Sequence, residues 1–263
     1  MGWETTVRHK YVLVLLFLYR LLWGFFLYRF VDAIVTPILA RYPSDHPNAD
    51  AAKMFLIEAQ FRLMKTDLVN DTLFMLGALL LARMILTPLL NAGVFYSFHH
   101  AEDGEGTRVW TGMKQAWKTV TALYWLENAM IALPALWLVP LARDRFYSEG
   151  SASDWLQGMT PYALLWIVWG FLLHLLFRFL QFGAVSGEGF ANSGMRALRK
   201  GLPLVAVSLA MIGIGLAVAA AASAVTVLWS GFLAVALHQA FHFVRSLVTL
   251  WTSAAQYHVW RES

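Results

Sequence analysis

The sequence predicts an all-α polytopic helical membrane protein of about six spans, arranged as three hairpins. Three observations predict it. Of 263 residues, 59% are hydrophobic and only 14% are charged, against roughly a quarter charged in soluble domains. Apolar runs recur along the whole chain, each near the roughly 20 residues that cross a bilayer as a helix. Six such runs with short connections leave no stretch for a soluble domain of ordinary size. The chain therefore reads as one transmembrane domain over residues 1–263.

The runs fall at roughly 11–37, 70–97, 119–141, 161–185, 203–225 and 229–253. The first follows Arg8 and Lys10, as a signal peptide would. Its apolar run is too long for one, carries Arg20 and Arg29, and lacks a small-residue cleavage site, so it reads as a retained span. Residues 52–69 mix Met54, Phe55, Leu56, Ile57 and Phe61 with Glu58, Arg62 and Lys65, the pattern of an amphipathic surface helix leading into the second span. Pro134 and Pro140 predict a kink or an irregular exit in the third span. The fifth repeats small residues every fourth position (Gly213, Ala217, Ala221; Gly215, Ala219, Ser223), which lets another helix approach closely. The fifth and sixth runs are separated only by Trp229-Ser230-Gly231. A single helix of about 50 residues at ~1.5 Å rise would overrun a bilayer, so a tight hairpin is expected there.

An internal repeat organises these spans. Gly104-Glu105-Gly106 is followed six residues on by Gly112-Met113-Lys114, with Lys118 beyond; Gly187-Glu188-Gly189 is followed five residues on by Gly194-Met195-Arg196, with Arg199 and Lys200 beyond. Upstream, Asn91-Ala92-Gly93 aligns with Gln181-Phe182-Gly183, and more loosely with Ser253-Ala254-Ala255. The repeated unit is a basic amphipathic interfacial helix followed by a transmembrane hairpin. Residues 1–10 form a degenerate first copy, and the units cover about 1–97, 104–185 and 187–253.

This arrangement puts Arg8, Lys10, Arg108, Lys114, Lys118, Arg196, Arg199, Lys200 and Arg261 on one side of the membrane, nine in all. Arg41, Lys53, Arg62, Lys65, Arg143 and Arg145, six, lie on the other. Lys and Arg near span ends favour the cytoplasmic side. Both termini are expected in the cytoplasm, in the inner (plasma) membrane, with Lys114, Lys118, Arg196, Arg199 and Lys200 facing lipid headgroups.

A Gly-Met-plus-basic amphipathic helix feeding straight into a span, repeated along six spans, resembles a loose group of bacterial membrane proteins. That group includes the membrane domain attached to some glycerophosphodiester phosphodiesterases. The resemblance implies a six-span helical fold over most of the chain. It carries over no site residue, and the 263 residues hold no counterpart of the catalytic domain attached in those enzymes.

Ionisable groups inside spans are costly and draw attention first. Here they are Arg20, Arg29, Asp32, Arg83, Glu127, His174, Arg178, His238, His242 and Arg245. The repeat alignment places Arg83 and Arg245 in register, with His174 one residue off. Two uses are open: a level that binds an anionic ligand, or glue between helices, with Asp32 held by Arg29 and Glu127 by Arg20, Arg83, Arg178 or Arg245, of which Arg83 or Arg245 is favoured. His238-Gln239-Ala240-Phe241-His242 has the two-histidine spacing of a zinc-protease helix, but Gln239 stands where the general base belongs and cannot accept a proton. His174 with His238 or His242 has the makings of a haem clamp; hydrogen bonding to a neighbouring helix is the simpler role. His99-His100-Ala101-Glu102-Asp103 reads as a solvated loop. Without cysteine there is no thiolate chemistry, and the Gly-Glu-Gly turns lack the lysine and hydroxyl of a phosphate loop.

No catalytic residue, metal site or cofactor is therefore expected. The net charge of +4 is dispersed, which suits membrane lipids and membrane-protein partners and gives nucleic acid no basic groove. The function expected is that of a non-enzymatic membrane subunit or assembly partner of a larger complex. The alternative is a transporter or permease for a lipid or another anion.

Overall fold

A computed structural model describes residues 2–39, 68–100, 108–148, 152–228 and 232–262. Among them every regular element is an α-helix: α1 (Gly2–Arg8), α2 (Lys10–Leu39), α3 (Leu68–His99), α4 (Arg108–Ala132), α5 (Ala135–Ser148), α6 (Ala152–Ser186), α7 (Phe190–Arg199), α8 (Gly201–Leu228) and α9 (Phe232–Arg261). Five stretches are long and apolar enough to cross a membrane: Lys10–Ala33, Leu73–His99, Arg108–Phe146, Ser153–Ser186 and Gly201–Ala224. The chain is a polytopic helical membrane protein. Its bare faces agree with a lipid solvent, since Phe74, Leu80, Leu136, Leu165, Ile167 and Leu216 are all largely exposed. In water such faces would be sites of association; against acyl chains they cost nothing.

Several sequence expectations meet their structure here. The proposed surface helix at 52–69 falls almost wholly outside the described residues, as does the turn Trp229-Ser230-Gly231, although α8 ends and α9 begins on either side of it. Residues 108–118 are not set off as a separate interfacial helix; they open the continuous α4. The second copy is set off, because Lys200 closes α7 before α8 begins.

Pro134 interrupts the third span with a turn at Leu133–Pro134, and Pro140 sits inside the helix that follows. A proline has no N–H to give to the carbonyl four residues back, here that of Met130. α6 makes good the loss. Trp169 Nε1 donates to the Met130 carbonyl (3.2 Å) and Trp166 Nε1 to that of Ile131 (2.7 Å). Further along the same hairpin, Trp155 Nε1 donates to the Ala142 carbonyl (2.8 Å) and an Arg145 guanidinium N–H to that of Gly158 (3.2 Å). Broken backbone at membrane depth is thus satisfied by the neighbouring helix.

The contacts group the chain into two compact units, Leu15–Leu86 and Met1–Val14 with Thr87–Ser263. In the first, Tyr19 meets Trp23 edge-to-face along α2, and Trp23 meets Phe26 at a tilt. Asp32 is met there by Thr36, whose hydroxyl donates to Oδ1 at 3.3 Å, and Arg29 is exposed. This link one turn along the helix stands in place of the expected Arg29–Asp32 pair.

In the second unit α4 and α7 pack on α6, α8 on α9, and α1 on α9. The core is aromatic. Phe95 of α3 meets Phe182 of α6 (4.8 Å), which meets Tyr257 of α9 (5.5 Å), with Phe98 and Trp260 closing the cluster. Edge-to-face geometry of this kind adds about 1 kcal/mol per pair beyond burial. Glycine admits the close approaches beside it. A Cβ on Gly93 would lie 2.7 Å from the Val109 side chain, one on Gly112 would overlap Tyr96, and one on Gly183 would overlap Ser193.

Candidate functional site

The costliest residues meet between α4, α6 and α9. Glu127 lies on the α4 face that also buries Val109, Met113, Ala116 and Val120, and it is only 4% exposed. A carboxylate so placed needs partners, because removing a charge from water costs far more than any single contact returns. α6 supplies two at one-turn and two-turn spacing. His174 Nδ1 stands 2.6 Å from Glu127 Oε1, and Gln181 Nε2 donates to Oε2 at 3.3 Å. The spacing of seven between His174 and Gln181 returns both to one helical face.

Arg178, one turn from each, reaches the other way. Its guanidinium donates to Ser253 Oγ of α9 at 2.9 Å and lies over the Phe95 ring at 5.4 Å. It is close enough to Glu127 for the two charges to attract. A second polar link ties α9 to α8, where Gln256 Nε2 donates to Ser208 Oγ at 3.0 Å. The result is a polar tie across three helices, with acceptor and donors in contact.

Other sequence candidates are not brought here. Glu127 is held by a histidine and a glutamine instead of by Arg245, whose side chain is exposed, while Arg178 lies near enough for its charge to attract. Register in a repeat alignment fixes depth, not facing, so Arg245 points elsewhere. His242 and Ser246 share a backbone-directed bond along α9. The His238 side chain lies outside the described residues. His174 spends Nδ1 on Glu127, which is helix-to-helix hydrogen bonding. No cluster of three or more His, Asp or Glu is placed to hold a metal among the described residues. Gln181 and Ser253 entered the sequence reading only as repeat markers. Their polarity beside buried neighbours was the available signal that they served a network.

The basic residues lie nearer the helix ends. Lys114 and Lys118 are exposed, Lys118 with its Nζ 5.9 Å from the Trp117 ring. Arg196 pairs with Glu188 at 3.0 Å and covers the Trp260 ring at 5.3 Å. Gly187, at φ +77°, makes the left-handed turn that brings Glu188 back onto α7. Arg199 is exposed and Lys200 half-buried, and neither meets an acid among the described residues.

Two histidines fasten the chain's beginning to this unit. His258 Nε2 lies 2.9 Å from Thr5 Oγ1, and His9 Nε2 3.1 Å from the Ser97 carbonyl. Burial in the first of these joints pushes the His258 pKa below its usual value, partly offset by Glu262 and Glu4. His99, expected in a solvated loop, instead ends α3 with its Nδ1 3.1 Å from Tyr257 Oη, and His100 stacks on Tyr96. Compared with known proteins, the chain matches no family model, no curated protein and no solved structure.

Proposed function

We propose that the chain is a non-enzymatic membrane subunit, a scaffold that assembles with other proteins in a bacterial inner membrane. The observation that carries this reading is the tie itself. Glu127, His174, Gln181, Arg178 and Ser253 bind one another across α4, α6 and α9. Groups bonded to each other across three helices serve as an interhelix lock. A transport site needs polar groups that exchange one partner for a ligand.

Three similar corners support the repeat that belongs to this reading. Gly93 sits against Val109 and Met113, Gly183 against Ser193, and Gly2 against Ala255. At each, a small residue near the end of a long helix or at the start of a short one lets the two approach. The third corner joins α1 to α9, and these corners frame the second unit. Such a frame leaves apolar faces outward, among them Leu216 on α8 and Leu136 on α5.

Photo-crosslinking residues installed at Leu216 and Leu136 in cells test the proposal. The scaffold reading expects a discrete adduct with one membrane protein from at least one position. A proteoliposome that shows anion flux abolished by Glu127→Gln, with no discrete adduct, would establish the transporter instead.

A further inference from the structure

We infer that α6, α7 and α8 form a binding site for one anionic phospholipid, its acyl chain in a groove and its headgroup on Arg199 and Lys200. The groove has a volume of about 320 Å³ and is walled almost entirely by apolar side chains, near the lower end of small-ligand sites at roughly 300–1,000 Å³. One wall is α6 from Trp169 to Leu176, about 10 Å of helix. Ala197 and Leu198 of α7, with Leu204 and Val205 of α8, make the other. The Trp169 ring at the deep end is pinned by its bond to the Met130 carbonyl.

The mouth decides the occupant. Arg199 and Lys200 stand in the chain directly between Leu198 and Gly201, both of which line the groove. Gly201 carries no side chain and a Cβ there would meet nothing within 4 Å, so the entrance is open. Leu198 is 78% exposed and Leu202 is 86% exposed, apolar surface flanking that same entrance. Arg196 is already neutralised by Glu188, whereas Arg199 and Lys200 have no acidic partner among the described residues. Two cations that meet no acid among the described residues, at the end of an apolar channel, match a phosphodiester attached to an acyl chain. A zwitterionic lipid would bring its own cation against them, and a helix from another protein would have to place acids there.

Native mass spectrometry of the full chain in mild detergent, with phosphatidylglycerol and phosphatidylcholine added in turn, tests this. One phosphatidylglycerol should be retained preferentially. R199Q/K200Q should weaken that retention about tenfold while leaving phosphatidylcholine unchanged. Val205→Trp, which fills the groove and keeps the charges, should weaken both lipids. Should Val205→Trp have no effect while R199Q/K200Q does, diffuse surface attraction would replace the site. Loss of neither lipid in either variant overturns it outright, as does a discrete protein adduct from a photo-crosslinker at Leu198. Should a variant fail to fold, a photoreactive phosphatidylglycerol on the unaltered chain still decides, since its adducts must fall within residues 169–205. Glycerol phosphate, which has the headgroup charge and no chain, should not compete.

Discussion

At the scale of the residue, the contact between Glu127 and His174 makes a sharp energetic claim. Glu127→Ala leaves His174 and Gln181 without their common acceptor, and should lower stability by about 2–3 kcal/mol. Glu127→Gln keeps the shape and one acceptor, and should cost less. In a double-mutant cycle with His174→Ala, read by thermal unfolding in detergent, the coupling should exceed about 0.5 kcal/mol. Additive losses would show that the two side chains merely lie near each other. The sequence singled out both residues by their cost in a membrane, yet assigned Glu127 an arginine. Hydropathy reports how deep a residue sits; which way it faces depends on how helices rotate against each other, and no spacing within one helix records that. The same limit left Gln181 and Ser253 as alignment markers.

At the scale of the element, the third span shows how a break becomes part of a fold. Pro134 was legible as an interruption, because a proline always removes one backbone donor. The compensation was not legible, since Trp166 and Trp169 lie more than thirty residues away on α6. Trp166→Phe retains the ring's bulk and removes its donor, leaving the Ile131 carbonyl unsatisfied in an apolar setting. The expected loss is about 1–2 kcal/mol, larger than for Trp169→Phe, whose bond is longer and more exposed. If Pro134→Ala restores a continuous helix with its own backbone bonds, it should make Trp166→Phe nearly silent. An undiminished cost in that background would mean the indole matters for packing alone. The corners at Gly93 and Gly183 follow the same pattern. Their alignment was visible in sequence, while the side chains that demand a glycine, Val109 and Ser193, could be found only in three dimensions.

At the scale of the whole molecule, the number and direction of spans rest on α9. Five stretches reach the length and hydropathy of a span among the described residues, and α9 is not among them. Its apolar first part, residues 232–237 in the sequence, lies outside the residues whose side chains are described. Packing argues that it crosses nevertheless. α8 starts at Gly201, immediately after α7, and runs away from it; α9 lies along α8, with Gln256 bonded to Ser208 and Val248 beside Gly215. The later residue of α9 thus meets the earlier residue of α8, the mark of an antiparallel return. Its far end comes back to α7, where Arg196 covers the Trp260 ring. Both ends of this hairpin therefore belong on one side of the membrane. The excess of nine over six basic residues predicts that this side is the cytoplasm. The chain has no cysteine, so single cysteines at Asn192, Glu262 and Ser148 can be labelled cleanly with an impermeant maleimide. In intact cells Ser148→Cys should react, and Asn192→Cys and Glu262→Cys should react only after lysis. Labelling of Asn192 and Glu262 from opposite sides would reduce the spans to five and detach α9 from the bilayer. Labelling of both from outside, with Ser148 protected, would keep six spans and invert them.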